Sequence, residues 1–266
     1  MKRRNLIIAR VGDASLHPLW MASRSRTYDV FLSYYGKTDR NYQGDAEYYE
    51  MRAGTKWGGI AELLDAHWSI IQDYDAVWVP DDDISMAPTD IVKMFDIFHA
   101  FELSLAQPAL TKDSYSYWKI TYRVDGSILR FTDFVEVMMP IFDRSSLQWL
   151  KATFSEAPSG WGLDYVWPKL LAHRGRRHAI AIIDAVAAKH TRPLGGGDLY
   201  KSQSIGNPAA EMAEVLRKYG IREIRELKDY SEHERIIAVK PPLAHRLIAA
   251  LRCSAARKRY RKSRRT

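Results

Sequence analysis

Short apolar runs alternate with helix-period stretches through the first half of this chain, and that alternation restricts the fold more than any other feature. Residues 5–9, NLIIA, and 28–34, YDVFLSY, read as buried strands. Over residues 59–72, Ile60, Leu63, Leu64, Trp68 and Ile71 fall on one face of a helix. YDAVWVP then reads as a short strand closed by Pro80, and Thr89 or Asp90 is placed to cap a helix through IVKMFDIFHAFEL. LAQPAL, 105–110, is extended. Such alternation predicts a mostly parallel sheet with helices on its faces. Ligands of such sheets bind beyond the carboxyl ends of the strands.

The second half is less regular. YWKITYR, SILRFT and FVEVMMPIF are predicted to be β-rich, with a turn at VDGS, 124–127. SSLQWLKATF and WGLDYVWPKLLAH read as helical, with Pro168 as a start or a kink. AIAIIDAVAA is a further buried strand, and NPAAEMAEVLRKYG is a helix capped by Asn207, with Pro208 in its first turn and Gly220 as its stop. With 266 residues, 46% of them hydrophobic, the chain can bury a sizeable core. No internal repeat or long linker divides it, which predicts one α/β domain with a C-terminal appendage.

Charge and cysteine usage narrow the function classes. The net charge is +8, but RKRYRKSRRT, 257–266, holds seven of the basic residues and no acid, which leaves +1 for the rest. A nearly neutral body gives little support to nucleic acid as a partner. The single cysteine, Cys253, excludes an intrachain disulfide and fits a reducing compartment. MKRRNLIIARVGDAS begins with basic residues before apolar ones, but the run LIIA is too short for a signal peptide's apolar region. No stretch approaches the roughly 18 apolar residues of a membrane span.

The residues that can carry chemistry lie at the ends of these elements. Asp81, Asp82 and Asp83 follow the strand VWVP directly. They fit a solvated turn before a helix, or a divalent cation held by Asp81 and Asp83 with something anionic bound to it. In SGWGLDYVW, Trp161 between Gly160 and Gly162 offers a face for a sugar ring, and Asp164 can accept a hydroxyl proton; the same residues also suit a helix start with a core tryptophan. His190 ends a buried strand before a glycine-rich loop. It can complete a metal site or be structural, and Gly195 and Gly196 can let backbone amides approach phosphate or simply form a flexible loop. Glu136 is a charge inside an apolar run and lines a site if it points inward. Lys56 and Trp57, just before a helix, are placed to meet a donor phosphate and ring, or to be an ordinary solvated start.

The order of these blocks resembles a family. TKWGG, YDAVWVPDDDIS, FELSLAQPAL, FVEVMMPIFDR, WGLDYVW and IIDAVAAKHTRPLGG occur in the order found in the plant and bacterial family catalogued as domain of unknown function 707, from about residue 5 to about residue 200. That family's pattern reads Asp-Glu-Asp, so Asp82 is a departure, while the outer aspartates are kept. The resemblance implies a GT-A-like fold of the nucleotide-diphospho-sugar transferases, spanning 1–205; beyond it the sequence itself predicts a helical extension at 206–240 and a basic amphipathic tail at 241–266. The resemblance also implies a metal-dependent glycosyltransferase that moves a sugar from a nucleotide-diphosphate donor to a glycan or lipid-linked acceptor. Mn2+ or Mg2+ is then expected on Asp81, Asp83 and His190, with Asp164 as the base if the enzyme inverts configuration, or positioning the acceptor if it retains it. Lys56, Trp57, Asp82, Gly195 and Gly196 fall to the donor, and Trp161, Gly162 and Glu136 to the acceptor. A carbohydrate-binding protein without turnover and a nucleotidyltransferase are the alternatives.

In the tail, Leu243, Leu247, Ile248 and Leu251 share a helical face beside Arg246 and Arg252, and the basic run follows. This pattern suits an anionic membrane surface or a solvated tail. The first option predicts a cytoplasmic enzyme held peripherally at the inner face of the membrane.

Overall fold

The computed structural model describes residues 3–23, 25–174, 179–195 and 207–222. The chain runs β1 (Asn5–Val11), α1 (His17–Met21), β2 (Tyr28–Tyr34), β3 (Tyr48–Met51), α2 (Lys56–Ile71), β4 (Ala76–Trp78), β5 (Ile84–Ser85), α3 (Pro88–Ala100) and β6 (Leu105–Leu110). It continues with β7 (Arg130–Phe131), β8 (Ile141–Asp143), α4 (Arg144–Leu150), α5 (Leu163–His173), β9 (Ile180–His190) and α6 (Pro208–Lys218).

Among the described residues nine strands form one sheet in the order β3-β2-β1-β4-β8-β6-β9-β5, with β7 also paired to β9. β1, β2, β3, β4, β6 and β9 share one direction; β5, β7 and β8 run against them. The sheet is therefore mostly parallel and flanked by helices. Both faces are covered, so β1 and β2 are buried along their whole length. Side chains of β1 alternate between two cores. Ile7, Ala9 and Val11 pack with Ile91, Met94, Phe95 and Phe98 of α3. Leu6 and Ile8 pack with Ile60, Leu63 and Leu64 of α2 and with Leu163, Val166 and Trp167 of α5.

Several local expectations are corrected. The cap of α3 is Ala87 without a side-chain hydrogen bond, followed by Pro88, rather than Thr89 or Asp90. Proline supplies the required φ and has no N–H to satisfy, so no side-chain cap is needed at that position. Residues 115–141 contain a short 3-10 helix, Lys119–Thr121, and only the two-residue β7 before β8 begins. FVEVMMPIF is thus mostly irregular, and Glu136 lies in a loop. The segment's backbone groups bond elsewhere: the Glu136 N–H donates to Gln107 Oε1 at 2.6 Å, and the Val137 and Met138 carbonyls accept from Lys56. With those partners supplied, no strand ladder is required. Pro168 lies inside α5, and α6 is capped by Asn207, whose side chain accepts from the Ala209 and Ala210 N–H groups. The expected tail, 241–266, and most of the extension beyond α6 lie outside the described residues.

Candidate functional site

The chain leaves β1 outward to β2 and β3, then crosses back to place β4 on the other side of β1. A crevice opens at such a reversal, beyond the carboxyl ends of the strands. Asp81–Asp83 follow β4 at that end. The short β5 comes directly after Asp83 and pairs Ile84 with His190, the last residue of β9. This pairing brings two distant sequence blocks together. Asp81, Asp83 and His190 each offer a ligand atom, all within 4.8 Å of one another.

The donor chemistry suits a hard or borderline divalent cation: two carboxylates and one imidazole. His190 Nδ1 lies 2.7 Å from the Tyr115 carbonyl, which fixes a proton there and turns Nε2 toward the cluster, 3.1 Å from Asp83 Oδ2. Burial lowers the His190 pKa, but the hydrogen bond and charge of Asp83, with the charge of Asp81, outweigh it and carry it up to about 9. For Asp83, burial acts upward and is outweighed by His190 and Arg192, so its carboxyl sits below the usual range. Burial dominates at Asp81 and pushes it up. Lys56 is bound 2.5 Å from Asp81 Oδ1, and its other donors reach Val137 O and Met138 O at 2.9 and 2.8 Å.

Asp82 faces the other way. It is buried, accepts from the Gly12 N–H at 2.8 Å, and pairs with Arg192 Nη1 at 2.9 Å. Arg192 also donates to the Ala14 carbonyl, and its own N–H donates to Asp83 Oδ2. The middle aspartate therefore ties the β1 end to the segment after β9, while its neighbours face the cluster.

The cleft beside the cluster measures about 420 Å³, within the range of small-molecule sites. Asp81, Asp82, Asp83, His190, Lys56, Glu136, Trp161, Gly162, Asp164 and Gly195 all line it. Glu136 points inward despite lying in a loop. Burial, with the Asp164 charge adding, raises its pKa to about 8. Asp164 stands in the first turn of α5, where burial raises it to about 7 against the opposing pull of the Gly162, Asp164 and Tyr165 amides. Among the described residues its buried Oδ1 has no hydrogen-bond partner, so a proton acceptor stands in the wall of the cleft. Trp161 is 39% exposed at the rim.

Gly160 and Gly162 have φ of +85° and +94°, the left-handed region that favours glycine. A Cβ on Gly160 would overlap the ring of Trp57, and one on Gly162 would touch Met212 of α6. Trp57 differs from the other predicted site residues in its burial. It borders the cleft but is fully buried, edge-on to Phe154 and Trp167, so its face is not offered to a ring. Gly195, with φ +72°, is exposed at the cleft edge, and Gly196 lies outside the described residues. The sequence reading missed Arg192, although HTRP stood beside the histidine it singled out. It also missed Arg10, Tyr35, Tyr117 and Met212, which share the lining and carry no local signal.

No family model matches the chain and no curated protein does, so neither comparison supports the resemblance to domain of unknown function 707. Solved structures do match. S. aureus TarS 1–349 in complex with UDP-GlcNAc aligns with a TM-score of 0.53 at 11% identity, over 83% of this chain and 66% of that one. A mycobacterial protein aligns with a TM-score of 0.50 at 13% identity, over 83% of this chain and 76% of that one. The chain thus spans about two thirds of the TarS chain's length. At these identities the likeness shows a shared fold.

Proposed function

We propose that this protein is a metal-dependent glycosyltransferase of the GT-A type, acting on a nucleotide-diphosphate sugar. The carrying observation is the joining of Asp81, Asp83 and His190 into one cluster at the carboxyl ends of the strands, in the cleft that also holds Asp164. The shared fold with a chain that holds UDP-GlcNAc supports a nucleotide-sugar donor. Asp81, Asp83 and His190 would hold Mn2+ or Mg2+, which when bound supplies electrostatic stabilisation to a departing diphosphate.

The remaining work falls to the chain's own groups. Trp161 offers its exposed face to the acceptor sugar or lipid-linked glycan. Asp164 Oδ1 takes the proton of the attacking hydroxyl as the new glycosidic bond forms and the donor's bond to the diphosphate breaks. The neutral Glu136 carboxyl donates a hydrogen bond to the acceptor. The cleft orients both substrates. In our reading the basic run 257–266 holds the protein at an anionic membrane surface on the cytoplasmic side, close to a lipid-linked acceptor.

The test is a screen of nucleotide sugars for hydrolysis and transfer, with and without Mn2+. Metal-dependent sugar release that falls about 100-fold or more in Asp83→Ala is the expected result. Full activity of that variant, or full activity in excess chelator, would remove the metal role. Turnover of nucleoside triphosphates alone would favour a nucleotidyltransferase. For the tail, a chain ending at Pro242 should lose co-sedimentation with anionic vesicles, and equal sedimentation would reject the anchor.

A further inference from the structure

Lys56 is the first residue of α2, where a positive charge opposes the positive end of the helix dipole. Its position is explained by what it reaches. The ammonium has three donors, and three acceptors surround it: Asp81 Oδ1 at 2.5 Å, Val137 O at 2.9 Å and Met138 O at 2.8 Å. All three donors are used, and the side chain is only 13% exposed. A lysine that swung onto a donor phosphate would leave two part-buried carbonyls and a carboxylate behind. This one is instead a fixed part of the cluster wall.

Charge then sets a consequence. Asp82 is matched by Arg192, outside the cluster. Within the cluster two carboxylates face the ligand position, and Lys56 cancels one of them. With His190 giving up its Nε2 proton to ligate, a divalent ion entering alone meets only one net negative charge, with the Lys56 ammonium beside it. A diphosphate arriving with the ion restores the missing negative charge.

We propose that Lys56 is a resident counter-cation of the Asp81–Asp83–His190 cluster, a positioning residue that keeps the site's affinity for a free divalent ion low and makes occupancy depend on the diphosphate ligand. This rests on the reading of the cluster as a metal site, and it goes beyond that reading by assigning the cluster's metal affinity to one residue. Lys56 touches a ligand of the ion and, in this account, neither the ion nor the sugar.

The experiment is a titration of the full chain with Mn2+ alone, read by the loss of the free-ion electron paramagnetic resonance signal. Wild type, Lys56→Met, Lys56→Arg and Asp83→Ala are compared. Lys56→Met should bind Mn2+ at least tenfold more tightly than wild type, and Lys56→Arg, which keeps the charge, should stay within about threefold of it. Asp83→Ala should abolish binding. Where melting shows Lys56→Met to be unfolded, Lys56→Gln, which keeps donors for the carbonyls, carries the same expectation. Unchanged or weaker binding in the folded neutral variant would overturn the inference. If Asp83→Ala still abolishes binding in that case, the metal reading stands and only the role of Lys56 falls. If the neutral variant and wild type both fail to bind Mn2+ at any concentration, both fall together.

Discussion

At the scale of the residue, the cleft sets two buried carboxyls against each other, Glu136 and Asp164, with environments that raise both. If Asp164 is the base, turnover should rise with pH along a limb centred at about 7, where it loses its proton. Asp164→Asn should cost about 10²–10⁴-fold in kcat and abolish that limb. Unchanged turnover in this variant would remove the assignment. Glu136 has a measurable stability signature. Its pKa rises from 4.5 in the unfolded chain to about 8 in the folded one, so the folded form holds the proton more tightly. Stability therefore falls as pH climbs through that interval, by about 1.4 kcal/mol per pH unit. Glu136→Gln escapes this cost, and its Tm should exceed that of wild type at pH 8 with the gap closing toward pH 5. A gap that does not change with pH would contradict the buried-acid account.

Residue-level legibility divides along the same line. Charge massed behind an apolar strand is unusual enough to mark Asp81–Asp83 from the sequence. The division between them is physical: Asp82 turns to Gly12 and Arg192, while its neighbours turn to the cluster. The pairing of Lys56 with Asp81, 25 positions apart, has no local trace, and a lysine at a helix start reads as solvated until the partner is seen.

At the scale of the element, the stretch before α5 is held by close contact. Gly160→Ala places a side chain at φ +85° and against the Trp57 ring, and should cost about 2–4 kcal/mol from backbone strain and overpacking together. Denaturant unfolding reads this directly, and a loss below about 1 kcal/mol would contradict the packing. α6 is tied to the same stretch: Glu211 accepts from the Ser159 N–H and hydroxyl, and Lys169 of α5 donates to the Tyr219 and Gly220 carbonyls. Loss of its cap in Asn207→Ala should cost about 1 kcal/mol, again by denaturant unfolding. β1, β2 and β6 could be read from the sequence because strands buried on both faces are near-continuous apolar runs. FVEVMMPIF misled for the same reason, since it is apolar and buried, but its backbone finds side-chain partners in place of a ladder. A pattern of hydrophobicity reports burial and is silent on where the backbone hydrogen bonds go.

At the scale of the whole molecule, the alternation of strand and helix predicted the sheet and the end of it at which the cleft lies. The antiparallel β8 between β4 and β6 was not legible, because strand order depends on long-range pairing. That insertion bears on the cluster's geometry. It spaces β4 from β9, and the reach is recovered by β5, which pairs back to β9 and sets Asp83 beside His190. One cleft then gathers a cluster with the donor set for a divalent ion, a carboxyl whose Oδ1 has no hydrogen-bond partner among the described residues, and an exposed tryptophan, from segments spread between residues 81 and 190. The fold shared with a UDP-GlcNAc-bound chain fits that arrangement.

The most direct measurement is calorimetric titration of the full chain with a panel of nucleoside diphosphates, with Mn2+ and with chelator, in wild type and Asp83→Ala. The account predicts that at least one diphosphate binds wild type tenfold or more tightly with Mn2+ than without, and that Asp83→Ala loses this dependence. Equal affinity in Mn2+ and in chelator, or the same Mn2+ dependence in Asp83→Ala, would contradict it.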